Sequence, residues 1–100
     1  MTCVTRYAQK GTLTLLRIRN VGEGYGPAND HIDVEVAIKL DALPGKGLGF
    51  QLRNDIQGPA HQGMLELLRD AWNFDRKVTI AYDVPAGKNN ATIIGVEFTK

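Results

Sequence analysis

Thr12-Leu13-Thr14-Leu15-Leu16-Arg17-Ile18-Arg19 carries two alternating patterns in opposite phase. Leu13 and Leu15 fall on one face, and Leu16 and Ile18 on the other. Successive side chains of a strand point to opposite faces, so a change of phase inside one run means a bulge, or a strand buried on different faces along its length. A strongly bent strand shared between two halves of a barrel behaves this way. A flat sheet with one wet face does not. Residues 3 to 8 extend this strand or form a short one before it, and Gly11 is the natural break.

Outward from that strand the chain reads as strands, one helix, then strands. Asn20 to Asp30 (NVGEGYGPAND) clusters Gly, Pro, Asn and Asp and is a loop. From Ile32 to Leu40 the alternation is strict: Ile32, Val34, Val36, Ile38 and Leu40 on one face, Asp33, Glu35, Ala37 and Lys39 on the other. That is the signature of a half-buried strand. Pro44-Gly45-Lys46-Gly47 predicts a turn, after which Leu48, Phe50 and Leu52 alternate again, making an antiparallel hairpin. Ala60 to Asn73 is the segment with helical period: Met64, Leu67, Leu68 and Ala71 form a stripe that Leu65 and Trp72 widen. Trp72 and Phe74 follow the stripe closely and are expected in the core or in helix-end packing. An exposed aromatic there would mark a subunit interface instead. Val78, Ile80, Tyr82 and Val84 alternate in the next strand, Pro85 to Asn90 is a turn, and a last strand places Thr92, Ile94, Val96 and Phe98 on one face.

Five strands with one helix between the third and fourth, and a long first strand that changes phase, resemble the OB-fold, a mainly β, five-stranded Greek-key barrel. The helix would plug one end of the barrel with its apolar stripe. The rival arrangement is a helix packed across an open antiparallel sheet.

Residues 63–98, GMLELLRDAWNFDRKVTIAYDVPAGKNNATIIGVEF, carry a second resemblance. Met64-Leu65-Glu66-Leu67-Leu68 followed by Lys77-Val78-Thr79-Ile80-Ala81-Tyr82-Asp83 is similar to the C-terminal half of the small OB-fold subunits of bacterial AB5-type toxins and their relatives. The resemblance implies a non-catalytic binding subunit, often assembled as a ring. Those positions are mostly core, so they speak more for fold than for function. The chain departs from those subunits in showing neither a secretion signal nor an internal disulfide, and no residue matches a sugar-binding site.

Composition narrows the function classes. The 100 residues form one expected domain, 1–100, 43% hydrophobic, with 12 basic against 11 acidic side chains and a formal charge of +1. The apolar content is too high for a disordered chain. The charge balance gives no support to an electrostatic binder of nucleic acid or membrane. No window approaches the length of a membrane span. A lone cysteine, Cys3, makes no internal disulfide and no zinc pair. It reads as a small apolar residue and fits a reducing, cytoplasmic compartment. No apolar run of signal-peptide length opens the sequence, although a leader already removed is compatible with it.

Chemistry-bearing motifs are sparse. His31 and His61 lack a third metal ligand at defined spacing. No nucleophile elbow, H-E-x-x-H or Ser-His-Asp signature is present, so no metal, cofactor or catalytic activity is expected. Gly22-Glu23-Gly24-Tyr25-Gly26 and Gly45-Lys46-Gly47-Leu48-Gly49 look like phosphate-cradling loops, but a strand follows each where the physics needs a helix N-terminus.

On an OB-like barrel, ligands meet the face of the second and third strands, between the loops joining strands one to two and four to five. The first loop offers Tyr25, Asn29 and His31, and the second Lys88, Asn89 and Asn90. The outward strand positions include Asp33, Glu35, Lys39, Gln51 and Arg53. The expected ligand set is therefore Tyr25, Asn29, His31, Gln51, Arg53, Lys88, Asn89 and Asn90. Its amides suit hydroxyl groups and Tyr25 supplies a ring. A single-stranded nucleic-acid binder, the alternative reading, needs stacking aromatics and a basic groove, and this face shows two acids. Tyr25 is either a wet contact residue or a lid folded back over the core. The expected function is a homo-oligomeric binding or assembly subunit for carbohydrate or protein.

With Cys3 the sole thiol, thermal melting of the monomeric species is expected to be the same with and without reductant. A reductant-dependent shift in its melting temperature would overturn that reading.

Overall fold

The computed structural model describes residues 4–20, 25–52 and 56–99. Among them the chain forms β1 (Val4–Gly11), β2 (Leu13–Ile18), a 3-10 turn (Ala28–Asp30), β3 (Val36–Leu40), β4 (Leu43–Phe50), α1 (Gly58–Asn73), β5 (Val78–Pro85) and β6 (Ala91–Glu97). The fold is mainly β. Six strands make one open, mixed sheet in the order β1-β5-β6-β4-β3-β2, with one helix. Neighbouring strands pair antiparallel except β4 and β6, which run parallel.

The strand count differs from the expected five because the chain changes partner at Thr12. β1 pairs with β5 through Gly11↔Val78, and β2 pairs with β3 from Leu13↔Leu40 onward. The helix consequently lies between the fourth and fifth strands, not the third and fourth. The phase flip of Leu13, Leu15 and Leu16 is a register shift between Leu13 and Leu15, at Thr14. The corner itself is clamped by Asp41: its Oδ1 accepts the Thr12 N–H at 2.9 Å, and its own N–H donates to Thr12 O at 3.0 Å. Gly11 is required beside it, since a Cβ there would stand 2.7 Å from Asp41 Oδ1.

The core holds Leu13, Val36, Ile38, Leu40, Leu48, Phe50, Val78, Ile80, Tyr82, Ala91 and Ile93 from the sheet. The helix adds Met64, Leu68 and Ala71. Pro59 opens the helix in its first turn, where its missing N–H costs no ladder bond. Asp75, in the left-handed region at φ 52°, ends it. Trp72 and Phe74 are not core residues: they are 48% and 72% exposed. Trp72 follows Ala71 around the helix by the turn of one residue, which carries it off the buried stripe.

Two other expectations are corrected. The alternating run Ile32–Leu40 is not one strand. β3 begins at Val36, and Ile32 and Val34 join Ala37 and Tyr25 in a separate small cluster. Ala37 alternates with the core residues Val36 and Ile38, so this second cluster lies on the sheet's other face. Glu35, read as outward, is 4% exposed and its Oε2 accepts the Leu52 N–H at 3.2 Å. In β6, a register shift at Ala81/Tyr82 leaves Ile94 between the pairs Tyr82↔Ile93 and Ala81↔Gly95. Ile93 is thereby buried and Ile94 exposed, while Val96 and Phe98 pack against the core.

Leu68 is fully buried at the centre of the helical stripe. Leu68→Ala is expected to lower stability by ~2–5 kcal/mol, the cost of a buried leucine that leaves a cavity. The denaturant midpoint measures it, and an unchanged midpoint would refute the central packing role of α1.

Candidate functional site

Three segments meet at one end of the sheet: Tyr25–Asp30, the start of β4, and the turn between β5 and β6. Asp30 is the hub. Its Oδ1 accepts the Asn89 N–H at 3.0 Å and its Oδ2 the Asn90 N–H at 3.1 Å, while its carbonyl accepts Asn90 Nδ2 at 2.9 Å. Asn90 Oδ1 accepts the Gly47 N–H at 2.8 Å. Asn89 Nδ2 donates to Gly45 O at 2.7 Å, and Lys46 Nζ donates to Asn89 O at 2.6 Å. Lys88 Nζ reaches Asn29 O at 3.0 Å.

The structure therefore brings Asn29, Lys88, Asn89 and Asn90 together, as the two-loop reading expected. Their polar groups engage one another and the strands. Asn90 is only 5% exposed. Asn29 takes part through its carbonyl, not its side chain. His31 is exposed at the end of the 3-10 turn. Gln51 lies elsewhere and donates Nε2 to Asp33 Oδ2 at 2.7 Å and to Asp33 O at 3.0 Å, while its carbonyl contacts His61 Nδ1. Arg53 lies outside the described residues.

Tyr25 is partly buried, as a lid. Its backbone exchanges two hydrogen bonds with Ile32, N–H to O at 2.7 Å and O from N–H at 2.9 Å. Its ring lies over β4, where a Cβ at Gly47 would collide with it, and Val34 packs where a Cβ at Gly49 would stand 2.8 Å from it. What the ring covers is the second cluster on the outer face of the sheet, not the main core. The Arg17 guanidinium sits 5.0 Å above the ring centroid. No run or motif in the sequence advertises that stack. The bare glycines Gly47 and Gly49, the latter opposite Ala37, are the signal that a segment lies across this face.

On the far side of the sheet, Arg6 grips Asp83, with Nε–Oδ1 at 2.8 Å, and Tyr7 stacks on Tyr82 with centroids 5.5 Å apart. Hydrogen bonding to Asp83, then its charge, raises the pKa of Arg6. Burial, then the neighbouring Tyr7, raises that of Tyr82, so its phenol stays protonated through the physiological range. Lys46 Nζ lies 5.9 Å from the Tyr82 ring centroid. Among the described residues, no three His, Cys, Asp or Glu side chains gather as a metal site, and no helix is long and apolar enough to cross a membrane. What the loop cluster provides is a rigid polar rim, with His31 exposed on it.

No protein-family model matches the chain, and no curated protein or solved structure matches it either.

Asn90→Ala strands the buried Gly47 N–H and is expected to destabilise by ~1–3 kcal/mol. Asn29→Ala keeps the carbonyl that Lys88 uses and should stay within about 0.5 kcal/mol of wild type. Chemical denaturation of the two variants tests the distinction, and equal effects would contradict it.

Proposed function

We propose that the chain is a non-catalytic binding or assembly module on an OB-like Greek-key barrel, acting as a homo-oligomer. The barrel reading is supported by topology. β1 and β2 are consecutive in the chain yet stand at opposite ends of the sheet, and β4 meets β6 in parallel. Joined at the Thr12 corner, they read as one bent strand that serves both edges of the open sheet, the role the first strand has in an OB-like plan. The sheet order and the helix after β4 also agree with an OB-like plan.

The assembly reading is carried by Trp72 and Phe74. Two large aromatic side chains in water beside a well-buried helical stripe are a place where another surface belongs. A second copy of the chain is the occupant, in keeping with the resemblance of residues 63–98 to ring-forming subunits. The Tyr25 ring is partly buried and already carries the Arg17 guanidinium, so it is poorly placed to stack a base, which favours a carbohydrate or protein ligand over a nucleic-acid strand.

Light-scattering mass in solution tests the proposal. Wild type is expected at a multiple of 11.0 kDa. Trp72→Glu with Phe74→Ser is expected to reduce it to one copy with an unchanged circular dichroism spectrum. A wild type that stays at one copy at high micromolar concentration would refute the homo-oligomer.

A further inference from the structure

β2 ends the sheet. β3 lies along one side of it, and among the described residues no strand lies along the other. The Arg19 N–H donates to Glu35 O at 2.7 Å, so at Arg19 the backbone faces β3. Backbone groups alternate sides along a strand. Arg17 therefore also faces β3, and the N–H and C=O of Leu16 and Ile18 face the unpaired side. A cleft of about 410 Å³ lies on this stretch, lined by Arg17, Ile18, Arg19 and Asn20.

The side chains on this edge alternate in chemistry. Ile18 is 57% exposed although it sits opposite Val36, which is fully buried. Arg17 lies on the other face, stacked on Tyr25, and its Nε is buried without a hydrogen-bond partner among the described residues. Arg19 adds a second positive charge on the Arg17 side of the strand. Charged side chains alone guard an edge against aggregation. Arg17 is instead held half-buried on the Tyr25 ring, a fixed positive charge beside the edge that an incoming carboxylate can meet.

We propose that the edge of β2 receives an extended acidic segment of another protein, added to the sheet as a further strand. Its backbone pairs with Leu16 and Ile18, an apolar side chain lies against Ile18, and a flanking carboxylate meets Arg17. The β1 edge of a second copy fits poorly as the incoming strand, because its Arg6 and Lys10 would meet Arg17 and Arg19. A nucleic-acid strand satisfies the guanidinium, but it offers no ladder of N–H and C=O to the strand edge and nothing apolar to Ile18. This surface and partner are separate from the aromatic patch of Trp72 and Phe74, so either can fail without the other.

The probes are two short labelled peptides, one alternating Glu and Val and one alternating Lys and Val, with oligothymidylate as a third. In fluorescence anisotropy the Glu peptide is expected to bind about tenfold or more tighter than either other probe. On saturation, the backbone amides of Leu16 and Ile18 should slow in hydrogen exchange. Arg17→Glu, checked by its melting curve, should abolish the preference for the Glu peptide. If that variant does not fold, the exchange measurement on wild type decides. Equal binding of both peptides, unaltered exchange at Leu16 and Ile18, or tighter binding of the oligonucleotide would each overturn the proposal.

Discussion

The architecture depends on a partner change confined to one residue. At Thr12 the chain leaves β5 and takes up β3, and Asp41 holds both backbone groups of that residue at 2.9 and 3.0 Å. An unpaired N–H or C=O at such a corner would be costly to shield from water, and a side-chain acceptor removes part of that cost. Everything downstream follows from the corner. It lets a single chain supply both ends of the six-stranded sheet. It also sets the hairpin of β3 and β4 against Gly11, which has no Cβ to press on Asp41.

A second constraint acts on the sheet's other face. Ala37, Gly47 and Gly49 leave a shallow floor in which Tyr25, Ile32 and Val34 settle. The loop they belong to is then tied down by Asp30 and Asn90. This arrangement turns the Asn90 amide into an internal strut and ties the exposed Asn89 amide to Gly45. Among the described residues, what stays uncovered is the aromatic pair at the end of α1 and the outer edge of β2. Both are positions where the fold leaves apolar or hydrogen-bonding capacity unused at its boundary.

The two surfaces differ in physical character. Trp72 and Phe74 offer area without direction, the kind of contact that favours a large, self-complementary interface. The β2 edge offers direction without much area. What it presents is an unpaired backbone edge with Ile18 exposed between two arginines.

Local chemistry alone determined the elements whose pattern rests on nearest neighbours. The helix over residues 60–73, the alternation of Val78, Ile80 and Tyr82, the break at Gly11 and the turn after Pro85 were legible, because periodicity and turn propensity act within a few residues; the turn expected at Pro44-Gly45-Lys46-Gly47 lies instead at Asp41-Ala42, and those four residues run inside β4. The meeting of Asn29 with Lys88, Asn89 and Asn90 was also legible, once two loops were assigned to the same end of a barrel. Tertiary structure decided the rest. Ile32 and Val34 share their alternation with Val36, yet they are buried on the opposite face of the sheet from it. Ile93 and Ile94 exchange roles through a register shift that no single-strand pattern encodes. Trp72 is apolar in the sequence and exposed in the fold. In each case the outcome turns on which distant strand or helix face occupies the space alongside. A residue's own chemistry states what it would bury against, and only the packing of the whole chain supplies the neighbour.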